Sequence, residues 1–159
     1  MSENIFEFAD HCAPQLVPAS AWSSNLRAIM TDAKWREFRE LVFIKHGKIC
    51  AFCGASPKSL DCHEIWKYVQ SDKFAGIQSL VKVLPLCKPC HMVCHIGFWS
   101  LKGKFEQVLA HMMRVRKISR GYALAEISAA NELFEKLSSV EWELDVSAAE
   151  TYISLKKDA

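Results

Sequence analysis

The sequence predicts an α+β fold, in which a small finger of two strands and one helix is held by cysteine pairs and surrounded by helices. Three observations predict it. Two CxxC pairs, Cys50-Ala-Phe-Cys53 and Cys87-Lys-Pro-Cys90, bracket the stretch Leu60-Asp-Cys-His-Glu-Ile-Trp66, whose alternation suits a strand. The second pair runs into His91-Met-Val-Cys-His95, which continues as a helix does, and apolar residues at helical spacing fill both flanks.

At 159 residues the chain is long enough for one ordinary core. It divides into a helical lead-in (1–47), the finger (48–100) and a helical extension (101–159), expected to form one compact unit. Half the residues are apolar and 24% are charged, a globular composition. No apolar run approaches the ~18 to 20 residues that cross a bilayer, and no basic leader precedes an apolar stretch, so a soluble cytoplasmic protein without a membrane partner is expected. The seven cysteines are odd in number and four of them sit in CxxC pairs, a usage that points to metal in a reducing compartment. Charge is segregated: residues 31–120 carry sixteen Lys/Arg against seven Asp/Glu, whereas both ends are acidic. A basic middle suits a polyanion such as DNA, and equally suits a solvated surface.

Pro14 and Pro18 predict an irregular lead-in over residues 1–21. Trp22, Leu26 and Ile29 then predict a short helix from Ala21, and Thr31 or Asp32 caps a longer one carrying Trp35, Phe38, Leu41 and Val42, which Gly47 ends. Gly47 to Gly54 reads as a knuckle, Leu60 to Trp66 as a strand, Lys67 to Gly76 as a loop, and Ile77 to Leu86 as a second strand limited by Pro85. Lys88 to Ile96 fits a helix with Pro89 in its first turn. Two further helices follow, one on Phe105, Val108, Leu109, Met112 and Val115, the other on Tyr122, Ile127, Leu133 and Leu137 with Ser119 as cap. His111 has no partner at metal-site spacing and reads as structural or exposed. Trp142 to Val146 suits a short strand or an extended tail, and the last residues are expected to fray.

Cys50, Cys53, Cys87 and Cys90 supply the four thiolates that a structural zinc ion takes in a tetrahedron. Sets using Cys62 or Cys94 are disfavoured because neither lies in a CxxC pair. His91 and His95 stand one helical turn apart and, with His63, form a three-imidazole set that would bind a catalytic divalent ion, Mg2+, Mn2+, Ni2+ or Zn2+, with a position open. Lys82, Lys88, Lys102, Lys104, Arg114 and Arg116 are candidate phosphate contacts. A homodimer is compatible with the sequence, but no coiled-coil seam supports one.

From Cys50 to His95 the chain resembles the zinc-containing HNH endonucleases, with LDCHEIW standing where that family often shows LEVHHI. The flanks AWSSNLR and KGKFEQVLAHMM, the CHEIW.Y strand and the GIQ.L segment resemble small stand-alone HNH proteins. The resemblance implies a ββα-metal finger and a nuclease that hydrolyses DNA phosphodiester bonds. In it one ion binds the scissile phosphate while a general base activates water. His63, His91 and His95 match the metal histidines. Glu64 stands where the family places its general-base histidine, so it would serve as base, as a further ligand, or as the mark of lost chemistry. Lys82 occupies the spacing of the family's orienting Asn, with Gln78 the nearest amide. A second register would make Cys62 a ligand and His63 the base. The alternative function is a catalytically inactive zinc module that binds nucleic acid or a protein. Small HNH proteins also resemble products of phages and mobile elements, which implies a place in defence or counter-defence.

Overall fold

A computed structural model of the chain describes residues 3–154, so the fraying expected of the last residues falls outside them. The fold is α+β. Among the described residues, one sheet has the order β1-β2-β3-β4, with β1 (Asn4–Glu7), β2 (Asp61–Gln70) and β3 (Ala75–Leu86) antiparallel and β4 (Glu141–Asp145) parallel to β3. Two expectations are corrected here. The lead-in is not wholly irregular, because Asn4–Glu7 pairs with the outer half of β2. Nor is Lys67 to Gly76 a loop: both strands continue through it, and the turn is confined to residues 71–74. There Asp72 Oδ1 accepts from the backbone N–H groups of Phe74 and Ala75 at 2.7 and 2.9 Å. Tyr68 and Gln78 face each other across the hairpin and are fully buried, which this polar stretch did not reveal as a sequence.

The hairpin register slips once. Ile65 pairs with Lys82 and Trp66 with Leu80, so Val81 is an extra residue on β3. Before this bulge Gly76, Gln78 and Leu80 are the buried positions of β3; after it the parity changes and Val83 is buried. The bulge also leaves Lys82 free to pair with Asp10 of the lead-in.

The first predicted helix shrinks to a 3₁₀ turn (Ala19–Ala21) and one helical turn, α1 (Leu26–Ile29), because Asn25 caps it by accepting from Ala28 N at 2.9 Å. Trp22 and Ile29 are consequently exposed. The long helix α2 (Asp32–Lys45) starts at Thr31, whose hydroxyl accepts from Lys34 N, and buries Trp35, Phe38, Val42 and Phe43. Gly47 at φ +70° and Lys48 at φ +56° turn the chain out of it. Helix α3 (Lys88–Cys94) ends two residues earlier than expected, and a short α4 (Ile96–Leu101) follows it. The two long helices are α5 (Phe105–Arg116) and α6 (Arg120–Leu137), the latter capped by Ser119 as predicted. After β4 the chain closes with α7 (Glu150–Ser154).

Buried side chains from Cys12 to Tyr152 form one hydrophobic cluster. Tyr152 ties the C-terminal segment to the sheet: its hydroxyl donates to Val83 O at 2.9 Å and its ring meets Phe38 edge to face at 5.2 Å. No helix among the described residues is long and apolar enough to cross a membrane. The junction of β3 and β4 depends on Gly76, where a Cβ would strike the Trp142 ring and come within 2.6 Å of the Val69 carbonyl. Gly76→Ala should therefore destabilise the fold by about 2 kcal/mol. Gly121→Ala, with open space at its position in α6, should gain up to about 1 kcal/mol. Urea unfolding of the two variants checks this; equal midpoints would refute the packing assigned to Gly76.

Candidate metal centre

The knuckle that carries Cys50 and Cys53 is closed by its own backbone. Cys50 N donates to Ala55 O at 2.8 Å and Gly54 N to Cys50 O at 2.9 Å, while Ala51 N reaches Pro85 O at 2.9 Å and so fastens the knuckle to the end of β3. The other pair sits where α3 begins, with Cys87 at the N-cap and Cys90 in the first turn. All four sulfurs lie within 4.8 Å of one another, and Cys53 Sγ is 3.6 Å from Cys87 Sγ. A tetrahedron with Zn–S bonds of about 2.3 Å needs sulfurs roughly 3.8 Å apart, so the set could hold a zinc ion. Its charge state favours a cation. The hydrogen bond from Cys90 drops Cys50 to about 4, whereas burial pushes Cys87 up to about 12, and contact with the Cys12 and Cys50 thiols pushes Cys90 higher still. Cys50 is thus the acidic thiol of the set, and a divalent ion would favour ionisation of Cys87 and Cys90 as well.

His111 is corrected from the expectation that it stands apart. The packing of α5 on α3 puts its Nε2 at 3.2 Å from Cys90 Sγ, and Cys12, Cys90 and His111 form a second close group. Arg114 can only donate, so its 2.8 Å contact with His111 Nδ1 leaves the ring proton on Nε2. His111 is therefore a hydrogen-bond donor to the Cys90 sulfur. Sequence spacing could not have shown this, because the contact joins separate helices. Cys62 and Cys94 join none of the close groups among the described residues.

The three histidines converge as expected. His63 comes from β2, His91 from α3 and His95 from the residue after it, with ligand atoms all within 4.8 Å. His91 Nε2 and His95 Nε2 are 3.1 Å apart. Behind His91, Asp61 Oδ2 accepts from Nδ1 at 3.0 Å, which leaves the lone pair of the neutral ring on Nε2, facing the cluster. His63 is oriented by a residue that the sequence reading missed. The Gln15 amide N–H donates to Ala9 O, so Gln15 Oε1 accepts from His63 Nε2 at 2.7 Å and the free lone pair is on Nδ1. Gln15 is held in turn by its own N–H on Cys94 O at 2.9 Å. Burial lowers the pKa of His63 well below the ordinary value and that of His95 to about 4, so both are neutral and able to act as ligands at physiological pH.

Glu64 is not part of the histidine group but lines the same cleft as His91, His95 and Asp61. Its Oε1 accepts from Leu26 N at 2.8 Å, at the start of α1. Burial raises its pKa to about 7. The cleft encloses about 850 Å³, and the aromatic rings of Trp22, Phe98, Trp99 and Phe134 line it. Lys88 lines it, Lys102 lies over the Phe98 ring, and Lys104 is exposed at the start of α5. The remaining basic candidates are engaged elsewhere: Lys82 with Asp10, Arg114 with His111, and Arg116 in a two-pronged pair with Glu126. Gln78 donates to Ser24 O, and neither it nor Lys82 lines the cleft.

Two measurements test this geometry. Metal analysis should find zinc lost from Cys50→Ser and retained in Cys62→Ser; equal zinc in both would exclude the assigned set. Between pH 4.5 and about 7 the folded chain holds a proton on Glu64 that the unfolded chain has released, so stability falls as pH rises through that window. Glu64→Gln should therefore melt with wild type near pH 4.5 and about 5 °C above it at pH 8, in buffer without added divalent ions. No protein-family model, curated protein or solved structure matches this chain.

Proposed function

We propose that the chain is a metal-dependent endonuclease of the HNH type that hydrolyses phosphodiester bonds of DNA, with β2, β3 and α3 as its ββα-metal finger. The observation that carries this reading is the convergence of three imidazoles beside an open cleft, with Asp61 orienting one and Gln15 another. A divalent ion held by His63, His91 and His95 would supply Lewis acidity at the scissile phosphate and at the departing 3′ oxygen. Asp61 keeps the His91 lone pair on Nε2, and Gln15 holds the His63 ring still. Glu64, with a pKa near 7, takes the proton from the attacking water, since a base is most effective when its pKa lies near the working pH. Lys88 at the cleft contacts phosphate.

A non-cutting module that binds nucleic acid or protein is the second reading. It is favoured by the Leu26 N–H on Glu64, which gives that carboxyl a structural task at the start of α1. Plasmid nicking with Mg2+, Mn2+ or Ni2+ separates the two. Nicking should vanish when both His63 and His91 are replaced by Ala, and should fall by about 100-fold or more in Glu64→Gln with metal retained. Activity that survives the double histidine replacement would sink the nuclease reading. Full activity in Glu64→Gln would leave water activation to another group.

A further inference from the structure

We propose that the cleft beside the histidines receives an unpaired nucleotide, its base among the aromatic side chains and its phosphate toward the imidazoles, so that the DNA strand engaged is single or locally unpaired. The inference rests on the nuclease reading of the same site and adds the form of the substrate.

The dimensions and chemistry of the cleft carry it. Its volume of about 850 Å³ is that of a site for an organic ligand and far exceeds what a phosphate group needs. Duplex DNA keeps its bases stacked and offers a protein surface phosphates, sugars and base edges, but no internal base face on which an aromatic ring can stack. An unpaired base has a free π-face. Trp22 and Phe134 stack at 6.2 Å between centroids with 24° between their planes, and Trp22 is fixed by donating from Nε1 to Val17 O at 2.8 Å. Phe98 and Trp99 form the other aromatic pair, edge to face at 5.2 Å. Trp22 stays 65% exposed and Phe98 55% exposed, unusual for rings of this size unless something covers them.

Charge completes the match. Lys88 Nζ lies 5.8 Å from the Trp99 ring centroid and Lys102 Nζ 5.5 Å from that of Phe98. Each ring thus has a cation beside it, the alternation that single-strand sites use to stack bases while neutralising phosphates. His91 and His95 line the same cleft as the aromatic rings, so a phosphate at these histidines and a base among the rings would share one cavity.

The test uses the zinc-loaded full chain without further added divalent ions and reads fluorescence anisotropy of labelled DNA. The probes are oligothymidine of about 20 nucleotides, an abasic strand with the same phosphates, and a duplex of equal length. Oligothymidine should bind at least tenfold tighter than either of the others. Trp22→Ala and Phe98→Ala, both at exposed positions, should each weaken oligothymidine binding about fivefold or more and leave duplex binding unchanged. Equal affinity for oligothymidine and the abasic strand would overturn the base site, even if plasmid is nicked and the nuclease reading stands. Base-dependent binding with no cleavage of any strand under Mg2+, Mn2+ or Ni2+ would remove the nuclease reading and leave the base site in place.

Discussion

Four sulfur atoms within 4.8 Å of one another join the turn after α2 to the first turn of α3, and the placement of the histidines depends on that junction. The knuckle is bonded to the end of β3 through Ala51 N and Pro85 O, so the cysteines also set where the hairpin meets the helix. His63 rides on that hairpin and His91 on that helix. The Asp61–His91 hydrogen bond joins the same strand and helix a second time. Burial and mutual contact disfavour the thiolates of Cys87 and Cys90. A bound cation would offset that cost and couple folding to metal loading.

Around this junction the chain spends polar groups on orientation. Gln15, Asp61 and His111 each hold a ligand-type side chain in one tautomer or contact, and each comes from a different part of the fold. Such outer partners restrict ring orientation and tune basicity at metal sites. Glu64 is the exception, a half-buried carboxyl with one backbone donor and a raised pKa. Its environment suits proton exchange near neutral pH, and its hydrogen bond also anchors the start of α1, just after the cleft-lining Ser24 and Asn25. One residue thereby couples the shape of the cleft to its chemistry.

Several elements were legible in the sequence because their signals are local. Thr31 and Ser119 are cap residues directly before apolar stripes, and α2 and α6 begin there. The outer half of the hairpin was illegible because Lys67, Gln70, Ser71 and Asp72 resemble a loop by composition, although β1 and β4 flank it on either side. Strand β1 was missed for the related reason that its pairing partner lies some sixty residues away in Lys67–Gln70. The Val81 bulge leaves no mark in the sequence, yet it changes the buried parity of β3 and leaves Lys82 to pair with Asp10.

The sequence by itself determined most of the two candidate metal sets, because CxxC turns and an HxxxH turn are short motifs whose geometry follows from backbone spacing alone. It also marked Glu64 as the position on which the proposed chemistry turns. Only the tertiary structure decided what surrounds them. Gln15 on His63, His111 on Cys90 and Trp22 on Phe134 are contacts between segments with no fixed offset along the chain. Their positions are set by how α1, α4, α5 and α6 pack over the metal centre, and packing of that kind depends on shape and burial, which no local pattern encodes.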